Sequence, residues 1–280
     1  MIKINFRLIL ILLVVLSIAG CSEEYNSERY LYKAANLSKD IVAAPEIIPP
    51  YEFDKAIEAY RLVFEKYPDT FSARRARVSM GTLYLFKKDY ATAREILNKA
   101  LELYPEDRNI SIDARFTIAK SYEKEGLWDK AFVEYKRIVN AYPKSGIALT
   151  LPTHIVNHYN KTGNIIERNI ACDTAIRYYS SIAKENPKSK LGFRAESFMA
   201  TCYIKNEDWS EAVGSLEKLV MHYPTVNTVG LSLRMIGDIS VKRLNDSKKA
   251  IDIFNRFLKR YPDHVFKEGL EKWLEVLSNV

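Results

Sequence analysis

The sequence predicts an all-α protein: about six antiparallel helix pairs stacked side by side and closed by a C-terminal capping helix. Three observations carry that prediction. The first is a recurring turn, Tyr67-Pro68, Tyr104-Pro105, Tyr142-Pro143, Asn186-Pro187, Tyr223-Pro224 and Tyr261-Pro262, whose prolines stand 37, 38, 44, 37 and 38 residues apart. The second is an alanine twelve residues before every one of those prolines: Ala56, Ala93, Ala131, Ala175, Ala212 and Ala250. The third is the pattern between them. Large apolar residues follow the alanine at four, seven and eight positions, as in Tyr135, Ile138 and Val139, which is one face of a helix, and no alternating strand pattern recurs. A fixed period of this size marks units that cannot bury their own apolar face and must stack on neighbours.

Taken in order, the chain opens with a basic start, Lys3 and Arg7, and an apolar run over 8–18 that is too short for a folded membrane span. Ile18-Ala19-Gly20-Cys21 then resembles a bacterial lipobox. The resemblance implies a signal peptide over 1–20, cleavage before Cys21, and acylation (palmitate and related chains) of Cys21 as a membrane anchor. With no Asp directly after Cys21, it further implies an outer-membrane location on the periplasmic face. Residues 21–29 are polar and read as a lipidated, flexible tether, which leaves 30–280 for the helical stack.

The helix over 30–42 is the first of the opening pair, and the prolines of 43–50 break it. A second helix over 52–66 completes the pair, because proline lacks an N–H and restricts the residue before it. First helices of the later pairs are expected near 72–87, 111–125, 147–160, 190–205 and 227–243. The longer fourth interval carries about seven extra residues between Tyr159 and Ala175, close to two helical turns, so an extended helix keeps its buried face in phase. Over 264–279, Phe266, Leu270, Trp273, Leu274 and Leu277 form one stripe, as a capping helix requires.

The first helices share Met80-Gly81-x-x-Tyr84, Ile118-Ala119-x-x-Tyr122, Met199-Ala200-x-x-Tyr203 and, more loosely, Ile236-Gly237. Gly81 precedes Ala93 by 12 residues and Pro105 by 24. Those offsets resemble the tetratricopeptide repeat over roughly 51–262, with three or four surplus residues after each proline and with Arg77, Arg115 and Glu196 where that family has tryptophan. The resemblance implies a right-handed superhelical solenoid whose concave groove is lined mainly by first helices. Carried over residue by residue, the groove consists of Arg75, Val78 and Thr82; Asp113, Phe116 and Lys120; Arg194, Ser197 and Thr201; and Arg234 and Asp238. That mixed lining suits a peptide or a partner helix.

Chemistry is sparse. His154 and His158 are four apart but lack a third ligand and the glutamate of a metalloprotease helix, so no metal site is expected. Cys172 and Cys202 are equidistant from Pro187, which puts them at one height on an antiparallel pair. A disulfide between them is possible in an exported protein, and two buried free thiols are the alternative. No phosphate loop, nucleophile elbow or catalytic order appears, so the chain reads as a non-enzyme without cofactor or small-molecule substrate. The net charge of +7 falls to +5 without Lys3 and Arg7. An export leader argues against nucleic acid as partner, and Arg74, Arg75, Lys87 and Lys88 read as solvated helix faces.

A lipobox followed by Tyr67-Pro68-Asp69-Thr70, Tyr142-Pro143-Lys144-Ser145 and Asn186-Pro187-Lys188-Ser189 resembles the BamD family, the repeat lipoproteins of outer-membrane β-barrel assembly machines. The resemblance implies a periplasmic scaffold that docks assembly components or captures incoming segments by binding, without turnover. Alternatives of the same kind are a Tol-Pal-associated repeat protein and a generic envelope or export-complex adaptor.

Overall fold

The computed structural model describes the backbone of residues 6–225 and 227–278 and the side chains from Ser22 onward within that range. Among the described residues it contains thirteen α-helices and no strand. Six pairs run in chain order: α1 (Phe6–Ala43) with α2 (Pro50–Lys66), α3 (Phe71–Phe86) with α4 (Tyr90–Leu103), α5 (Arg108–Lys124) with α6 (Trp128–Ala141), α7 (Leu151–Lys161) with α8 (Ile165–Glu185), α9 (Lys190–Asn206) with α10 (Trp209–His222), and α11 (Val229–Lys242) with α12 (Ser247–Arg260). A last helix, α13 (Lys267–Ser278), closes the chain. Among the described residues no helix is long and apolar enough to cross a membrane. The leader expected over 1–20 and the acylation expected at Cys21 lie outside the described side chains.

The recurring turn works by a specific device. Tyr67 and Asn186 end their helices outside the helical region, at φ −136° and −131°. Proline follows, and before α3, α5 and α9 the residue three after the Tyr or Asn caps the next helix. Thr70 Oγ1 accepts from the Ala73 N–H at 3.2 Å and Ser189 Oγ from Gly192 N–H at 3.0 Å. Asp107 does the same for Ile110 N–H. Ser145 Oγ accepts from Ala148 N–H at 3.1 Å within the turns that precede α7, whose own N-cap Thr150 makes no side-chain cap. One short motif thus stops one helix and satisfies the orphan donors of the next. The opposite turn, from first to second helix, passes through the left-handed region in the five pairs after the first: Lys88, Gly126, Gly163, Glu207 and Asn245 have φ of 66°, 78°, 71°, 64° and 51°.

Packing explains the alanines. All six are fully buried where helices of a pair approach closely. Four residues on, Tyr60, Tyr135 and Tyr179 are buried too, and each hydroxyl meets a polar group of the preceding helix: Ser38 Oγ at 2.9 Å, Glu123 Oε2 at 2.6 Å and Thr153 Oγ1 at 2.8 Å. A buried hydroxyl needs such a partner. Helix α8 has 21 residues where α4, α6, α10 and α12 have 14, and its added first turns leave the Cys172, Ala175, Tyr179 and Ile182 face in register. At the C-terminal end, Phe266 and Trp273 lie on Gly230 and Gly237 of α11, one helical heptad apart on both sides.

Two expectations are corrected. Residues 22–29, read as a flexible tether, are helical and continue α1. The reason is a buried stripe that starts earlier than its apolar part: Ser27, Ala34 and Ile41 recur every seven residues, with Ser38 on the same face between them. Ser27 fits that contact because it is small, and its hydroxyl bonds back to the Glu24 carbonyl. The stack, read as one domain over 30–280, divides into two compact units, 1–141 and 142–280. In the second unit turns over 143–150 stand where the first turns of a first helix would be, and α7 has only 11 residues against 16 or 17 in α3, α5 and α9.

Candidate protein-binding surface

In the first unit, α1, α3 and α5 are the first helices of their pairs, and each packs beside the next. Their shared outer face is the candidate surface. Arg75 of α3 is exposed and its guanidinium lies 5.9 Å from the ring centre of Phe71, itself exposed. Asp113 of α5 is exposed as a residue, and the partial loss of solvent around its carboxyl raises its pKa from the ordinary aspartate value, with Arg75 pulling the other way. Phe116 is half-buried, its ring 6.3 Å from that of Tyr135, and Lys120 is paired with Glu123 at 2.9 Å. Thr82 is half-buried and its hydroxyl donates to the Val78 carbonyl of its own helix.

Val78 is a correction. It belongs to the core with Leu97, Ala100, Ile110, Ala114 and Ile118, beneath the surface it was assigned to. Transfer by offset misses this because the angle at which α4 and α5 cross α3 decides which of its rows is covered.

In the second unit Arg194 is exposed. The hydroxyls of Ser197 and Thr201 turn back onto the carbonyls of Phe193 and Ser197. Arg234 and Asp238 form an ion pair at 3.7 Å, and Asp238 also takes Lys242 at 2.6 Å. Both flank narrow clefts that α13 makes with α11 on either side of Trp273. Cys172 and Cys202 sit in one core cluster of α7, α8 and α9, both buried and both free thiols, so the structure brings the pair together without a bridge. Among the described residues no cluster of metal-binding side chains occurs.

A further feature of the surface includes Arg75 but otherwise residues the sequence reading did not assign. A cleft of about 580 Å³ runs between α1 and α3, lined by Tyr25, Arg29, Leu31, Tyr32, Lys33 and Arg75 among others. Tyr25 and Tyr32 are 63% and 69% exposed. The signal was present: positions 25, 29, 32 and 33 follow helical spacing, but treating 22–29 as tether hid it.

Comparison with known proteins bears directly on this architecture. Family models described as the tetratricopeptide repeat match residues 75–107, 113–145 and 232–264. The chain carries tetratricopeptide repeats. The matched segments run through both helices of the α3–α4, α5–α6 and α11–α12 pairs, and the fold is a protein-interaction scaffold. No curated protein matches the chain. Among solved structures, a thermophilic tetratricopeptide-repeat protein of Thermus thermophilus is 15% identical, covering 74% of this chain and 100% of its own, with a TM-score of 0.38. A tetratricopeptide-repeat protein of Parabacteroides merdae is 14% identical over 89% of this chain and 99% of its own, with a TM-score of 0.42. Yeast Tom70 is 15% identical over 90% of this chain and 47% of its own, with a TM-score of 0.47.

Proposed function

We propose that this chain is a lipid-anchored scaffold of the periplasmic face of the outer membrane, acylated at Cys21, which binds segments of other envelope proteins on its first helices. Its role is BamD-like, in assembly of outer-membrane β-barrel proteins. The observation that carries the binding reading is the face formed by α1 and α3, where exposed tyrosines, a leucine and three cations share one cleft with a single glutamate. Such a surface offers apolar area and charge to a protein segment. The anchor reading rests on the lipobox-like 18–21 segment, and the assembly role on the Tyr-Pro-x-Ser/Thr turns.

Crosslinking in membranes followed by capture of the full chain tests it. The expected product is a barrel-assembly component or a nascent barrel protein. Recovery of Tol or Pal components, or of an export complex, replaces the assembly role with the corresponding adaptor role. A Cys21→Ala variant is expected to leave the membrane fraction; one that stays there removes the acyl anchor from the proposal.

A further inference from the structure

We infer that the cleft between α1 and α3 takes an extended acidic segment of a partner protein, with apolar or proline residues at every third position. This deepens the scaffold reading above and rests on it.

The first argument is charge. In the first unit, Arg61, Arg74, Arg94, Arg115 and Arg137 each reach a carboxylate, and Arg77 lies 4.1 Å from the Phe64 ring centre. Among the described residues Arg29 and Arg75 have no carboxylate at ion-pair distance, Arg75 lying over the Phe71 ring and feeling the Asp113 charge only at longer range, and both line this cleft together with Lys33. Glu28 is the acidic residue of the lining, so three cations face one anion. Carboxylates of a partner would supply what the fold supplies to Arg61, Arg74, Arg94, Arg115 and Arg137.

The second argument is spacing. Tyr25 and Tyr32 are seven residues apart on α1, about 10.5 Å along its axis. A polyproline-II segment returns to the same face every three residues, about 9.3 Å on. Two exposed tyrosines rising from backbone positions at that spacing can therefore hold positions i and i+3 of one such segment, leaving the positions between them to Arg29 and Lys33 from one wall and Arg75 from the other. An anionic membrane is the less favoured occupant. Glu23, Glu24 and Glu28 lie on the same turns of α1 and would meet a continuous sheet of headgroup charge, whereas a peptide can place its carboxylates only where the cations are.

The test is fluorescence anisotropy with the purified full chain and a labelled peptide of four Pro-Glu-Asp triplets. A peptide of four Pro-Lys-Arg triplets and vesicles of equal parts phosphatidylcholine and phosphatidylglycerol are the other probes. The expected result is saturable binding of the acidic peptide alone, weakened about tenfold by added salt and by Arg75→Glu or Lys33→Glu, and weakened by Tyr32→Ala with helix content unchanged. Absence of binding, equal binding of the basic peptide, or indifference to all three substitutions overturns the inference. Capture of the vesicles through Arg75 and Lys33 without the peptide overturns it in favour of a lipid surface. If Arg75→Glu still recovers the same partner after crosslinking, the scaffold reading stands and this cleft is removed from it.

Discussion

Gly81 of α3 stands so close to Leu97 of α4 that a Cβ on the glycine would lie 2.6 Å from Leu97 Cγ and 2.7 Å from its Cδ2. Leu97 is fully buried and has no room to retreat. The glycine is thus a packing requirement: it lets the two helices of the second pair approach. Gly81→Trp is expected to destabilise by about 3 kcal/mol or more, since overpacking a dense core costs about 1–3 kcal/mol even for smaller additions. Thermal unfolding checks it. An unchanged melting temperature would show that α3 and α4 do not meet at Gly81.

The Tyr179 hydroxyl is held in the second unit by Thr153 Oγ1 and by the Leu149 carbonyl, both at 2.8 Å. Burial raises its pKa well above the ordinary tyrosine value. Tyr179→Phe keeps the ring, which stacks on Phe198 at 5.4 Å, and strands the two buried partners. The expected cost is about 1–3 kcal/mol, read as a lower denaturation midpoint with an unchanged slope. Tyr178→Phe, one residue away and bonded to the Pro143 carbonyl at an exposed edge, is expected to cost less.

Burial pushes the Cys172 thiol up to about 11 and the Cys202 thiol up to about 12, from an ordinary value of 9.0, with each other's proximity adding to the rise at Cys202. Both are expected to resist iodoacetamide in the folded chain at neutral pH and to react together on unfolding. The sign of the pH effect follows. A folded-state pKa above the unfolded one gives a contribution that is full below pH 9 and is lost as pH rises towards 11 and 12, because the unfolded thiols ionise first. Stability is therefore expected to fall across that window, and to fall less in Cys202→Ala. Recovery of a Cys172–Cys202 disulfide from unreduced protein would contradict the free-thiol state.

Glu207 sits at φ 64°, where the equivalent turns place Gly126 and Gly163. A side chain in that region costs about 1 kcal/mol. Glu207→Gly is expected to raise stability by up to that amount, and Gly163→Glu to lower it. Loss of stability in Glu207→Gly would mean that the glutamate side chain makes a contact that outweighs the backbone strain.

Much of this architecture is local and hence readable from residue order. The alanine-to-proline offset, the Tyr-Pro-x-Ser/Thr cap and the seven-residue extension of α8 each depend on contacts between helices consecutive in the chain, where spacing along the chain is spacing in space. The extension was legible because two helical turns are close to seven residues, so its apolar face at Cys172, Ala175 and Tyr179 never left register.

The surface was less legible, because exposure is a property of neighbours. Val78 follows the groove offset in sequence but is covered by α4 and α5, and nothing local to α3 encodes that crossing. Residues 22–29 are polar by composition yet pack through Ser27, since a close helix contact asks for small size before it asks for hydrophobicity. Periodicity alone determined that this chain folds as paired helices, where each turns, and which face it buries. Only the tertiary structure decided where the stack divides into two units, which first-helix residues stay open, and that Arg29, Lys33 and Arg75 converge on one cleft, because those outcomes depend on how non-adjacent helices meet.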